Sequence, residues 1–184
     1  MVPLKKLRPK LRSIYWAEVH MREAREASAH LLALGNISQE LSHAIYTGIV
    51  VSYARSFGAN QGLSALPDEF RNFGDPKLKA MHEFLIDARN TIYAHKDEIK
   101  EAERLPVGMP REAISKIRFH VAESGVSHWI VQRPGLPPAY LKEIITLCEF
   151  QIARLNAASS EMLAKCCKGK SYAPGDYVFG ETFP

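Results

Sequence analysis

Apolar positions recur along most of this chain at spacings of three and four, the period of helices that bury one face. Over residues 13–34 the pattern runs through Trp16, Val19, Ala24, Ala27, Leu31 and Leu34, and Gly35-Asn36 stops it. Ser38 then stands as N-cap of a second helix. Its apolar face runs Leu41, Ile45, Ile49 and Ser52, is widened by Val50 and Val51, and closes near Gly58. Residues 58–74 are rich in Gly, Asn, Ser and Pro and read as a loop. A third helix is expected from Asp75 as N-cap and Pro76 at its first position, with Leu78, Met81, Leu85, Ala88 and Ile92 as its stripe. A last long helix is expected after Pro138, on Leu141, Ile145, Cys148, Ile152, Leu155 and Met162, with Ser159 as the exception.

The period changes between residues 98 and 138. Pro106, Pro110, Pro134, Pro137 and Pro138 break helices, while Ile117, Phe119 and Val121 alternate with Arg118 and His120 as in a half-buried strand. The segment from His128 to Gln132 can pair back through a turn near Gly125. The expectation is a mainly α fold: an up-and-down bundle of about four long helices with a small β-hairpin insertion. The 184 residues suffice for one full core, whereas two domains would each be marginal. The chain therefore divides into a basic N-terminal arm (1–12), a helical domain (13–168, with 98–138 inserted) and an irregular tail (169–184). That tail holds Tyr172, Tyr177, Phe179 and Phe183 among glycines and prolines.

Composition narrows the class. With 46% apolar and 24% charged residues the chain reads as globular rather than disordered. No apolar run reaches the roughly 18 residues that cross a bilayer, and the basic N-terminus lacks the apolar core of a secretory signal. The expected compartment is the cytoplasm, with no membrane partner. Cys148, Cys166 and Cys167 give an odd count and no CxxC, so neither a disulfide framework nor a thiolate zinc site is expected. Cys148 falls on the apolar stripe of the last helix and reads as core. The net charge of +4 is concentrated at the start: Lys5, Lys6, Arg8, Lys10 and Arg12 stand without an acid among residues 1–12. Such a segment can hold a phosphate backbone, or can simply be a solvated terminus.

The stretch that carries chemistry is Asp87-Ala88-Arg89-Asn90-Thr91-Ile92-Tyr93-Ala94-His95-Lys96-Asp97. On an ideal helix, Arg89 and His95 fall about 60° to either side of a stripe centred between Ala88 and Ile92, roughly 9 Å apart along the axis. Glu83, Asp87 and Asn90 take the outer face. A guanidinium fork matches phosphate oxygens, and an imidazole moves a proton near neutral pH without a metal. Together they suit a phosphodiester: the RNA 2′-hydroxyl attacks phosphorus, His95 acts as acid or base, and Arg89 stabilises the charge that develops. Thr91 lies one turn before His95 and Tyr93 one turn after Arg89, where the ring can stack on the guanidinium or a base. Asn90 and Lys96 complete the set of candidates. The bland alternative is that His95 caps the helix C-terminus and Arg89 pairs with Asp87, Glu83 or Asp97.

Secondary candidates are weaker. Arg55 ends the second helix and could reach the same cleft, and Lys5, Lys6 and Arg8 could add RNA contacts. His82 sits at the stripe edge beside Arg89, as a supporting group or as a packed histidine. His120 and His128 could face each other across the hairpin, a poor basis for a metal site. No HExxH, Walker, Gly-rich phosphate loop or GxSxG pattern appears, so no metal and no cofactor are expected.

Arg89-Asn90 followed by His95 resembles the RxxxxxH-type signature of the HEPN superfamily, in which a polar residue commonly follows the arginine. The plan of two long helices, a motif-bearing third helix, an insertion and a closing helix is similar as well, over roughly residues 13–168. The ending Ala94-His95-Lys96-Asp97 resembles abortive-infection and toxin-like branches. The resemblance implies a metal-independent endoribonuclease in which two protomers bring their motif helices together into one composite site. It also implies a role as toxin or antiphage-defence effector, with an antitoxin or sensor protein as a further partner. Some members of that superfamily bind nucleic acid or proteins without cutting. A non-catalytic binding or interaction module is therefore the alternative.

Overall fold

A computed structural model describes residues 4–58, 64–90, 116–123, 125–132, 136–167 and 175, with backbone alone for 4–8, 116–122, 125–132 and 166. The chain is mainly helical, and its core is a bundle of four helices: α1 (Leu4–Leu34), α2 (Gln39–Arg55), α3 (Pro76–Ala88) and α4 (Pro138–Cys167). α1 packs along α4 and α2, while α3 packs against α2 and α4. Leu85, Ile144, Leu147 and Leu155 are fully buried where these helices meet.

The local signals explain the helix ends. Gly35 takes φ +63°, the left-handed conformation that ends α1 and that a side chain would disfavour. The Ser38 hydroxyl accepts from the Leu41 N–H at 3.2 Å, and the Asp75 carboxylate accepts from the Lys77 N–H at 2.8 Å. Each cap satisfies a backbone donor that the first helical turn leaves without a partner. Pro76 opens α3, where its missing N–H costs nothing.

Three expectations are corrected. The first concerns the basic arm: α1 begins at Leu4, so most of residues 1–12 are helical, with Pro9 inside the helix. The apolar series Leu4, Leu7, Leu11 and Ile14 continues the stripe upstream. Leu11 and Ile14 are buried, and this burial offsets the bond that Pro9 cannot donate.

The second correction is the rotation of two helix faces. The buried face of α1 is Ile14, Ala17, Met21, Ala24, Ser28 and Leu31, whereas Trp16 is 40% and Leu34 52% exposed. In α2 the buried residues are Tyr46, Ile49, Val50, Tyr53 and Ala54, whereas Leu41 is 50% exposed. Small residues on α1 let its neighbours approach closely, and the larger rings are turned outward or to the flank.

The third lies in the segment expected as a loop. Asp68–Arg71 forms a 3-10 turn that buries Phe70, and Leu66 and Phe73 on either side of it are buried too. This segment lids one side of the core.

Between α3 and α4 the chain carries β1 (Lys116–Ala122) and β2 (Gly125–Gln132), paired antiparallel. Phe119 stands opposite Trp129 and His120 opposite His128, with an irregularity between His120 and Val121. The Tyr46 hydroxyl of α2 donates to the Leu136 carbonyl at 2.5 Å and pins the entry to α4. No described helix is long and apolar enough to cross a membrane. The expected aromatic tail lies outside the described residues, apart from Gly175.

Candidate functional site

Arg89 sits where α3 ends. Its N–H donates to the carbonyls of both Leu85 and Ile86, and Arg89 and Asn90 continue the helix as a π-helical turn. A π turn advances each residue by less than the 100° of an α-helix. Both side chains are exposed. An Arg89 Nη1 donates to Asn90 Oδ1 at 3.0 Å. Arg89 therefore faces solvent rather than the seam of the stripe. Asn90, expected on the outer face with no secure link to Arg89, holds its guanidinium. Among the described residues no carboxylate forms an ion pair with Arg89. Glu83, an expected alternative partner, instead lies 3.7 Å from Lys79 one turn earlier.

Thr91, Tyr93, His95 and Lys96 lie outside the described residues, as does the far half of the expected motif helix. Arg55 ends α2, exposed, where its charge bears on His20 of α1. Lys5, Lys6 and Arg8 lie in the first turns of α1.

What holds the Arg89-bearing helix is a buried polar network that the apolar pattern does not reveal. His82, seven residues before Arg89 on α3, is buried among Tyr53, Phe57 and Phe73. Its Nδ1 is 2.9 Å from the Tyr53 hydroxyl. Burial, aided by the Arg71 cation nearby, lowers the His82 pKa to about 4, so the ring is neutral at physiological pH. This is a packed histidine. Tyr53 also bonds to Gln151 of α4, and burial raises its own pKa well above the ordinary phenol value. The Gln151 amide donates to the Phe70 carbonyl at 2.8 Å. Arg154 donates to the Glu69 and Phe70 carbonyls, with its guanidinium over the Phe70 and Phe150 rings at 5.2 and 5.3 Å. The network thus links α2, α3, α4 and the 3-10 turn. Its only trace in the sequence is the polar Gln151 and His82 at positions where the helical period calls for apolar residues.

A groove of about 480 Å³ runs beside that turn, between the start of α1 and the last turns of α4. Its cations face anions: Lys10 is 3.8 Å from Glu69, and Lys165 is 2.5 Å from Glu161. Arg154 spends its donors on backbone carbonyls. Two of the groove's three cations are thus paired and the donors of the third are engaged, and its lining includes neither Arg89 nor Asn90.

Cys148 is fully buried in α4, and burial pushes its thiol up to about 12. That makes it core rather than nucleophile. Among the described residues no group of three or more His, Cys, Asp or Glu side chains is placed to hold a metal ion. Comparison with protein-family models, with curated proteins and with solved structures finds no match for this chain.

Proposed function

We propose that this chain is a metal-independent endoribonuclease of the HEPN type, acting as a toxin or antiphage-defence effector. In this reading the bundle is up-and-down, the strand pair is an insertion into it, and two protomers join Arg89 and His95 into one composite site. The 2′-hydroxyl of the RNA attacks the adjacent phosphorus and loses its proton as the bond to the 5′-oxygen breaks. His95 moves the proton, and Arg89 stabilises the oxygens of the transition state. The products are a 2′,3′-cyclic phosphate and a 5′-hydroxyl.

The observation that supports the reading best is the state of Arg89. It lies exposed at the end of an anchored helix, oriented by the neutral Asn90 amide and, among the described residues, with no carboxylate in ion-pair contact. The bond to Asn90 uses one of the five guanidinium donors, and a fork of such donors matches the oxygens of a phosphate.

The test is RNA cleavage in chelator, with product ends identified by mass spectrometry. Arg89→Ala and His95→Ala should each abolish it while leaving the melting temperature unchanged. Cleavage that persists in both variants refutes the assignment. A non-catalytic RNA-binding module is the second reading, favoured by the run of cations from Lys5 to Arg12, which needs no proton transfer. RNA binding without product on long incubation would select it.

A further inference from the structure

Two of the large apolar side chains left exposed lie side by side on α1: Tyr15 at 60% and Trp16 at 40% exposure. Their rings meet edge to face at 6.1 Å, and the Trp16 ring is followed at 6.2 Å by that of His20. The helical start of α1 gives these rings a basic approach. Lys5, Arg8, Arg12 and Trp16 are spaced by three, four and four residues. With Tyr15 they fall within an arc of about 100°, opposite the buried Ile14, Ala17 and Met21. Arg12 is exposed. No acid occurs before Glu18, and Glu18 is paired with Arg22 at 2.7 Å. A mobile arm would leave these cations unplaced relative to one another. A helix sets these four positions along one line about 16 Å long that ends beside two exposed rings.

We infer that this outer face of α1, from Lys5 to Trp16, is a binding stripe for single-stranded RNA. The cations follow the phosphates, and Tyr15 and Trp16 stack on unpaired bases. Charge selects the occupant. Between Lys5 and Trp16 the stripe carries only positive charge, the sign that a phosphate backbone needs, and it ends on exposed rings of the kind on which bases stack. Unpaired bases offer the flat faces that exposed rings can cover, and duplexes hide theirs. The inference rests on the reading of RNA as substrate, but it uses neither Arg89 nor His95.

The experiment uses the full chain carrying Arg89→Ala, so that RNA survives, titrated with a short oligouridylate at low salt. Trp129→Phe makes Trp16 the sole indole, because the chain has two tryptophans. RNA should quench its fluorescence. Trp16→Ala should weaken binding on the order of ten-fold, and Trp16→Tyr should restore most of it. Arg8→Ala with Arg12→Ala should reduce the salt slope of log affinity by about 1.4, that is about 0.7 per lost phosphate contact. Circular dichroism checks that α1 is intact in each variant. Affinity and slope unchanged in folded variants would overturn the stripe. So would failure to bind RNA combined with self-association that Trp16→Ala abolishes, which would assign the face to a second copy of the chain. The two readings separate cleanly. If the unmodified chain cuts RNA but these variants bind normally, the stripe falls and the nuclease stands. If binding depends on the stripe and no RNA is ever cut, the reverse holds.

Discussion

The Tyr53 hydroxyl and His82 Nδ1 lie 2.9 Å apart inside the core, and this one bond ties α2 to the helix that ends in Arg89. Both groups are buried, so neither can turn to water if the other is lost. Tyr53→Phe should therefore destabilise the fold by about 1–3 kcal/mol, the usual effect of stranding a buried polar partner. Urea denaturation measures it. A double-mutant cycle with His82→Ala should return a coupling energy of about 1 kcal/mol. A loss of a few tenths or less in Tyr53→Phe would mean that the bond contributes nothing net.

The same histidine makes stability depend on pH. Its ordinary pKa is 6.5 and its folded value is about 4. Between those values the unfolded chain binds a proton that the folded chain refuses, so acid favours unfolding. Stability should be at full strength above pH 6.5 and fall as pH drops toward 4, with a slope of up to ~1.4 kcal/mol per pH unit from this group. Burial also lowers the pKa of the half-buried His20, which adds a contribution of the same sign. Urea midpoints across this range should show a shallower slope in His82→Gln than in the unmodified chain. Identical slopes would move the pH dependence to other groups.

Asn90 should matter through Arg89. Its side-chain oxygen accepts from the guanidinium at 3.0 Å, which limits the orientations the fork can take. If the nuclease reading holds, Asn90→Ala should lower the turnover rate on the order of ten-fold, as misplaced catalytic groups do, with little change in melting temperature. Arg89→Ala should lower it far more. Equal losses in the two variants would make Asn90 a direct participant rather than a positioning residue.

Cys148 should be inert in the folded protein. Its thiol is fully buried and its pKa is raised to about 12, so almost no thiolate is present at neutral pH. Alkylation followed by mass spectrometry should leave Cys148 unmodified under native conditions, while the half-buried Cys167 at the end of α4 reacts. In denaturant both should be labelled. Native modification of Cys148 would reveal opening of the α1–α4 seam.

Helix caps were legible because each is a local device. Ser38, Asp75 and Pro76 act within one turn, and Gly35 needs only its own backbone freedom. The start of α1 was not legible in the same way. Its run of cations was read as an arm, which passed over the apolar series Leu4, Leu7, Leu11 and Ile14, of which Leu11 and Ile14 are buried. The Arg89 region was half legible: periodicity put Arg89 on the third helix but carried the stripe on to Ile92, whereas the π-helical turn at Arg89 and the Asn90 bond depend on backbone geometry that residue identity does not encode.

The helical period of most of the chain and the caps at Gly35, Ser38 and Asp75 are properties of neighbours in the chain, and the sequence alone determined them. Which face turned inward was decided only by assembly. Trp16 is among the most apolar residues of α1 and yet faces water, while Ala17 beside it is buried, because close packing against α2 and α4 admits a methyl where it excludes an indole. His82, Tyr53 and Gln151 are likewise far apart in the chain. Their shared network exists because three helices meet there, and once buried each polar group had to find its partner on another element.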